Sequence, residues 1–143
     1  MQIRIGKISD VHAIGLINKK AMGYCTGDDI LTQRLKRICD EKNHELIVAT
    51  QADDCVVGYI HVETYTSLYM DSMFNILGFA IDPQFQHQGI ATQLLHAIET
   101  EAQQRNYSGI RLNSGTERLA AHQFYEKSGY MLDKTQFRFQ KKF

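Results

Sequence analysis

Apolar residues along this chain switch between a two-residue period and a helical period, and these switches predict its elements. Alternation over residues 2–8 predicts a first strand, after which Ser9 is placed as the N-cap of a helix with Asp10 in its first turn. Apolar residues then recur at helical spacing in two segments, separated by a break at Gly23 and Gly27. The chain is therefore expected to begin β-α-α.

Strand-like patterns dominate the middle of the chain. Residues 45–50 and 55–66 predict two strands joined by a polar turn. A continuous apolar run over residues 74–81 is typical of a strand buried on both faces. An amphipathic helix over residues 89–105 and a short strand over 109–113 follow.

The last part of the chain predicts one more helix and one more strand. Ser114 and Glu117 fit a capping box for a helix that ends near Ser128, with Gly129 in the usual C-terminal position. Aromatic residues alternate with charges over residues 130–143, which predicts a strand. The complete order β-α-α-β-β-β-α-β-α-β predicts a mixed α/β fold.

Length and charge exclude several classes of protein. A chain of 143 residues predicts a single domain over residues 1–143 that needs neither disulfides nor a structural metal to fold. Sixteen basic residues balance sixteen acidic ones, so we expect no binding to nucleic acid or to a membrane surface through bulk charge. No segment approaches the run of about 18 apolar residues that a membrane helix requires.

Cysteine and histidine positions carry no ligand pattern. Cys25, Cys39 and Cys55 are odd in number and lack close spacing, which argues against a disulfide framework and a zinc site. The histidines show no metal-ligand spacing either, so no metal is expected. The N-terminus lacks the apolar core of a signal peptide, and a cytoplasmic protein with reduced thiols is the simplest interpretation.

The segment from Ile81 to Ala91 is the most informative for chemistry. A buried strand ends at Asp82-Pro83, and a short polar loop then enters a helix through Gly89. Unpaired N–H groups at a helix start favour phosphate oxygens, and small residues let a ligand approach the backbone. A plain strand-loop-helix connection is the alternative. The loop lacks the residues of a P-loop and the three glycines of a Rossmann fingerprint.

A second segment, residues 121–130, predicts a helix that directs Phe124 toward the core and Tyr125 toward a cleft. Half-buried packing of the tyrosine, with its hydroxyl in water, is the alternative.

Together these segments resemble the GNAT acetyltransferase superfamily. Gln86, Gly89 and Ala91 match the family's Gln/Arg-x-x-Gly-x-Gly/Ala signature. Ile-x-Pro at 81–83 and Phe-Tyr-Glu-Lys-x-Gly-Tyr at 124–130 match as well, and the order of elements fits over nearly the whole chain.

The resemblance implies a splayed, mostly antiparallel sheet flanked by about four helices, and an acetyl-CoA co-substrate. The backbone of the strand that contains Ala80, through Phe79 and Ile81, would bind the pantetheine arm. Tyr125 would protonate the departing thiolate. The pyrophosphate would lie on the amides of the loop, formed by Gln86, His87, Gln88, Gly89, Ile90, Ala91 and Thr92.

Two positions depart from the family pattern. Arg118 stands where many relatives place a cofactor-binding asparagine, so it contacts a cofactor or substrate phosphate or lies on a solvated helix face. Asn75 stands where some relatives carry a glutamate base, and an amide cannot take a proton near neutral pH. Glu63, Asp71 or water is then left to deprotonate the amine.

A narrower resemblance links residues 118–130 and the Phe-Arg-Phe at 137–139 to aminoalkylphosphonate N-acetyltransferases. Arg118, His122 and Arg138 would suit a phosphonate or phosphate group, because guanidinium forks match tetrahedral oxyanions. The alternative is that Arg138 points outward from a terminal strand and that His122 is an ordinary helix residue.

Acceptor specificity is expected in two loops, residues 22–30 and 66–73, because loops at a cleft mouth commonly carry it. Acidic and aromatic side chains there would attract and enclose a cationic amine, although loop aspartates also cap helices. These side chains are Tyr24, Asp28, Asp29 and Asp71, with Tyr65 and Tyr69 as further walls. Phe137, Phe139 and Phe143 are assigned to core or dimer packing.

These patterns predict an N-acetyltransferase that moves acetyl from acetyl-CoA to a small primary amine by direct transfer, and that forms a homodimer. An aminophosphonate, a polyamine-like compound or an aminosugar-like compound is expected as the acceptor. A macromolecular amine, or a non-catalytic module that binds acetyl-CoA, is the alternative. The zero net charge also conceals a split, because the last ten residues contain four basic residues, Lys134, Arg138, Lys141 and Lys142, and no acidic residue.

Overall fold

A computed structural model describes all 143 residues of the chain, from Met1 to Phe143. Two compact units make up the chain, residues Met1–Leu112 and Asn113–Phe143. Five strands and four helices form a mixed α/β fold with a mostly antiparallel sheet, which confirms the predicted class. No helix is long and apolar enough to span a membrane.

The first unit contains the whole sheet and three helices. The strands lie in chain order, β1-β2-β3-β4-β5, and each pairs antiparallel with the next except β4 and β5, which are parallel. The elements are β1 Gln2–Ile5, α1 Val11–Met22, α2 Asp28–Asp40, β2 His44–Thr50, β3 Val56–Tyr65, β4 Met73–Ile81, α3 Ile90–Gln104 and β5 Ile110–Leu112.

Alternation along the strands divides the apolar side chains between two cores. Ile14, Ile17 and Leu35 of the first two helices bury against a cluster on one sheet face that includes Leu46 and Tyr59. On α3, helical spacing brings one apolar stripe to the sheet, where it contacts β2, β3 and β4. The fully buried members of that stripe are Leu94, Leu95 and Ile98.

The chain start differs from its prediction. Strand β1 ends at Ile5, residues Ile8–Asp10 form a 3₁₀ turn, and Ser9 is not an N-cap. The reason is Asp10, which is buried and accepts a hydrogen bond from the Lys7 N–H at 2.8 Å. The Arg4 guanidinium donates two hydrogen bonds of 2.9 Å to the same carboxylate. This bidentate pair turns the chain before α1 can begin.

Strands β4 and β5 pair over only a short length. The parallel pairing joins Phe74–Ile76 to Ile110–Leu112 and ends there, well before β4 itself ends at Ile81. Beside it, the β3–β4 register shifts between His61 and Val62, as at a β-bulge. These two features give the splay that the resemblance implies.

The second unit contains α4, Leu119–Lys127. The predicted capping box is wrong, since α4 starts after Arg118 and no side chain caps it. Ser114 Oγ is instead buried without a hydrogen-bond partner. Gly129 has φ +89° just after the helix, which confirms its C-terminal position.

The predicted final strand is also wrong. Residues 131–143 form no strand and all of them are exposed. Phe137, Phe139 and Phe143 are 93%, 91% and 112% exposed, so their assignment to a core is wrong within this chain. Alternation alone does not make a strand, because a strand needs an edge with which to pair.

Candidate active site

The loop between β4 and α3 is built to present backbone amides. Gly89, the N-cap of α3, has φ +80°, and His87 two residues earlier has φ +62°. Left-handed residues interspersed in a loop turn successive N–H groups toward one side, which makes a concave nest for an anion. No side chain caps α3, so no side chain of the protein accepts hydrogen bonds from the first-turn amides of Ile90, Ala91 and Thr92.

Asp82 fixes the start of this loop. Its carboxylate accepts hydrogen bonds from the Gln84 N–H and from Lys20 Nζ, each at 3.0 Å. Burial raises the pKa of Asp82, but these two donors outweigh it, so the pKa of this carboxyl lies below its usual value. The anchor ties the loop to α1 and β4 while the residues from Gln86 to Gly89 stay exposed.

The nest has room for a ligand. A Cβ added at Gly89 would meet no atom of the protein within 4 Å. The open space, the amides and the positive end of the 15-residue helix α3 together suit a diphosphate. The residues present therefore fit the pyrophosphate of acetyl-CoA, and the binding role of Gln86–Thr92 stays a prediction.

Strand β4 leads directly into that loop. Ala80 is 6% exposed and belongs to the core cluster beneath α1 and α2. Phe79 and Ile81 are half-buried and alternate with it along the strand. The backbone predicted to bind the pantetheine arm therefore lies where β4 has left β5 and runs toward the nest.

Tyr125, the predicted acid, lies on α4 in the second unit and is half-buried. Its ring contacts those of Phe124 and Tyr130, at centroid separations of 5.4 and 5.8 Å. Burial raises the pKa of Tyr125 and the nearby Arg118 charge partly opposes this, with the increase prevailing. The phenol therefore keeps its proton at neutral pH, as a general acid must.

The residues of the phosphonate hypothesis do not form a cluster within the second unit. Arg118 is exposed at the start of α4, and its charge reaches Tyr125. His122 Nε2 contacts the Gly115 carbonyl oxygen at 2.8 Å, which holds the preceding turn. Arg138 is exposed and donates to Gln140 in the tail.

A polar group lies on the face of the sheet where β3, β4 and β5 meet. Asn75 on β4 is paired in register with Glu63 on β3 and with Arg111 on β5. Arg111 Nη1 donates to Asn75 Oδ1 at 2.9 Å, and the guanidinium carbon lies 4.5 Å from the Tyr65 ring centroid. Neither Asn75 nor Arg111 can take a proton at neutral pH, which leaves Glu63 as the ionisable acid of this group.

The other predicted acceptor residues lie apart from that group. Asp28 and Asp29 form the first turn of α2, where carboxylates stabilise the positive end of the helix. Asp28 Oδ2 is 2.9 Å from His12 Nδ1 and lines a shallow groove beside α1. Tyr24 is 64% exposed, and Asp71 is exposed just before β4. Their role toward an acceptor stays a prediction.

Sequence reasoning missed Arg111 and a contact between two histidines, His44 on β2 and His61 on β3. Their facing nitrogens are 2.9 Å apart. No local motif marks residues that antiparallel pairing brings together, so only an assumed strand register could have found them. No group of three His, Cys, Asp or Glu side chains is arranged to hold a metal ion.

Comparison with known families bears on this geometry. The family model described as Acetyltransferase (GNAT) family matches residues 14–130, which include the β4–α3 loop and Tyr125. The chain belongs to the GNAT acetyltransferase family. This confirms the resemblance that the two motifs carry.

One curated relative matches part of the chain in sequence. The protein YxbD of Bacillus subtilis (strain 168), itself uncharacterised, is 30% identical over 82 residues, which cover 57% of this chain and 47% of that protein. The chain thus matches about half the length of this curated relative.

Two solved structures share the fold over nearly their whole length. A transcriptional regulator from Bacillus halodurans C-125 has a TM-score of 0.87 at 23% identity, covering 97% of this chain and 98% of that one. AAC(6')-Iy, solved with the bisubstrate analogue CoA-S-monomethyl-acetylneamine, has a TM-score of 0.83 at 16% identity, covering 99% and 97%. At such identities the likeness shows the fold alone.

Proposed function

We propose that this GNAT-family protein transfers acetyl from acetyl-CoA to a primary amine of a small molecule, by direct transfer in a ternary complex. The observation that carries the proposal is the uncapped start of α3, with Gly89 at φ +80° and open space where a side chain would stand. Family membership supplies the reaction class. We also propose that both compact units act as one domain, because the family match crosses the boundary between them.

The residues present fit acetyl-CoA. Amides of the loop from Gln86 to Thr92 would hold its pyrophosphate, and the backbone at Phe79 and Ile81 would hold its pantetheine arm. Arg118 would contact a phosphate. Bound acetyl-CoA supplies an activated thioester carbonyl.

In the proposed reaction, N–H groups of the splayed β4 polarise the thioester oxygen while the amine nitrogen attacks the carbon. The C–S bond then breaks, and Tyr125 gives its proton to the thiolate. The three cysteines, Cys25, Cys39 and Cys55, are free and exposed, and none is assigned a covalent intermediate. Free thiols also agree with a cytoplasmic location, which we propose.

A small acceptor is favoured over a macromolecule. Glu63 and Asp71 flank the end of β3 and the start of β4, and carboxylates attract a cationic amine. The balanced net charge does not favour an aminoacyl-tRNA acceptor. The name of the B. halodurans neighbour agrees with the second candidate, a non-catalytic regulatory module.

An amine panel separates these candidates. Spermidine, kanamycin, glucosamine and aminomethylphosphonate are offered with acetyl-CoA, and released thiol is measured. We expect thiol release that depends on at least one of these amines. If acetyl-CoA binds but no amine releases thiol, the small-molecule acceptor is wrong and the regulatory module is favoured. If acetyl-CoA does not bind, the cofactor assignment itself fails.

We propose that a second copy of the chain covers the exposed tail, so that the protein is a homodimer. Thirteen residues, 131–143, carry five large apolar side chains that are at least 73% exposed. Monomeric proteins rarely expose apolar side chains so densely. In the first unit, β5 pairs only with β4, and the alternating pattern of the tail is that of a segment that can pair with an edge strand of a second copy.

Sedimentation or light scattering at micromolar concentration tests the dimer. We expect the wild type to be dimeric and the double variant Phe137→Asp/Phe139→Asp to be monomeric, because two charges would have to be buried at the interface. The matched control is Leu68→Asp, which changes a residue that is 107% exposed in the loop before β4. A monomeric wild type, or a double variant that stays dimeric, contradicts the proposal.

A further inference from the structure

Two histidines form a direct contact inside the sheet of the first unit. His44 Nδ1 on β2 lies 2.9 Å from His61 Nε2 on β3. Their ring planes are inclined by only 26°, and the ring centroids are 5.1 Å apart. The rings therefore meet through these two nitrogens at the distance of an N–H···N hydrogen bond.

The contact continues to the protein surface. His44 Nε2 is 3.1 Å from Glu41 Oε2, at the end of α2. The His44 side chain is 17% exposed and that of Glu41 is 45% exposed. The three side chains thus form a line of hydrogen-bonding groups from the sheet to solvent.

The order of partners assigns the protons along this line. A Glu41 carboxylate can only accept, so His44 Nε2 donates to it. In a neutral ring the other nitrogen, Nδ1, is then an acceptor, and it receives the proton of His61 Nε2. Nδ1 of His61 is left with a lone pair, at the inner end of the line.

His61 stays neutral under ordinary conditions. Burial, together with the charge of His44, lowers the pKa of His61 to about 4. The ionisable groups around it are His44 on β2, Glu41 at the end of α2, and Tyr59 and Glu63 on its own strand; its β4 partner, Gly78, has no side chain. A neutral ring keeps one nitrogen that can accept a proton.

The backbone of His61 pairs with the part of β4 that extends beyond its pairing with β5. His61 is paired with Gly78, at the point where the β3–β4 register shifts. Two residues further along β3 and on the same sheet face, Glu63 is paired with Asn75. His61 is therefore a second proton acceptor, besides Glu63, next to the segment of β4 that is proposed to bind the thioester.

We propose that His61 is the general base of the acetyl transfer and that His44 and Glu41 relay the proton to solvent, an inference that rests on the proposed function. His61 Nδ1 takes the proton of the acceptor's ammonium group, and His61 Nε2–H passes to His44 Nδ1. His44 Nε2–H passes to the Glu41 carboxylate and from there to water. Each ring ends neutral, and reorientation of the two rings restores the starting tautomers.

Two variants test the relay with the panel amine that wild type uses best. His61→Gln keeps an N–H donor toward His44 but cannot take a proton, so kcat should fall about 100-fold with an unchanged KM for acetyl-CoA. Its remaining rate should rise with about one log unit per pH unit, because the bound amine must now lose its proton unaided. His44→Asn keeps an acceptor for His61 and interrupts the relay, so a smaller loss in kcat is expected.

The control is His96→Gln on the exposed side of α3, which should retain wild-type kcat and pH profile. If the wild type shows turnover and His61→Gln has the same kcat and pH profile, the relay is wrong and the proposed function is unaffected. Absent turnover in wild type instead overturns the small-amine function.

A measurement that needs no amine substrate tests the relay whether or not the wild type shows turnover. Long-range ¹H–¹⁵N NMR of the wild-type protein should show His61 neutral and protonated at Nε2 from pH 6 to pH 8, two values chosen to lie well above its pKa of about 4. A proton on His61 Nδ1, or titration of His61 within that range, contradicts the relay.

Discussion

Replacing Tyr125 with phenylalanine should lower kcat by about 100-fold while leaving the Kd for acetyl-CoA nearly unchanged. The variant removes one hydroxyl from a ring that packs against Phe124 and Tyr130, so the aromatic contacts of α4 persist. It deprives the departing thiolate of its proton donor. Because burial raises the pKa of Tyr125, the wild-type phenol is protonated at neutral pH. The substitution therefore removes a group that is present in its proton-donating form.

The matched control for this variant is Tyr130→Phe, in which the neighbouring ring loses its hydroxyl. We expect it to keep wild-type kcat, and thermal unfolding should show that both variants are folded. Unchanged turnover of Tyr125→Phe at saturating substrate would remove Tyr125 from the mechanism.

Gly89→Ala should weaken acetyl-CoA binding by about 10- to 100-fold, which corresponds to about 1.4 to 2.7 kcal/mol. Gly89 has φ +80°, where an L side chain is strained, so the variant should also lose about 1 kcal/mol of folding stability. The protein itself leaves space for the new methyl group, since no atom lies within 4 Å of its position. In the proposed complex, the group that it would meet is the bound diphosphate. Isothermal titration with acetyl-CoA measures the effect.

Gly23→Ala separates strain from ligand contact. Gly23 ends α1 with φ +76° and likewise has no atom within 4 Å of an added Cβ. It should lose the same stability as Gly89→Ala but bind acetyl-CoA like wild type. Equal affinities in the two variants would show that the start of α3 does not hold the phosphates.

The loop between β4 and α3 could be predicted from sequence because its backbone geometry is local. The strand ends before Asp82-Pro83 and the helix begins after Gly89. These two boundaries determine which N–H groups lack a partner within the helix, independently of the rest of the chain. The hydrogen bond from Lys20 to the side chain of Asp82 anchors the start of the loop but does not change which amides are unpaired.

The general base could not be predicted in the same way. His44 and His61 are 17 residues apart, and a one-residue slip of β3 against β2 would turn one of them to the opposite face. Sequence reasoning therefore offered Glu63 and Asp71, which are acidic residues near the expected strand ends. It had no means of finding the relay.

Element ends were predicted less well where long-range contacts decide them. The shortened β1 depends on the ion pairs of Arg4 with Asp10 and Asp54, and Asp54 lies in the turn between β2 and β3. The prediction of a final strand was wrong because alternation marks a segment that is able to pair, and residues 131–143 pair with no strand of the chain.

By itself, the sequence determined the order of elements from β1 to α4, the mixed α/β class, and the positions of the β4–α3 loop and of Tyr125 on α4, since each depends on residues close together in the chain. The tertiary structure decided the strand register, the bulge beside His61, the splay of β4 from β5 and the exposure of the tail. Those features depend on free energies of pairing and burial between distant segments. A pattern along one segment indicates that it can pair, but only the folded chain fixes its partner.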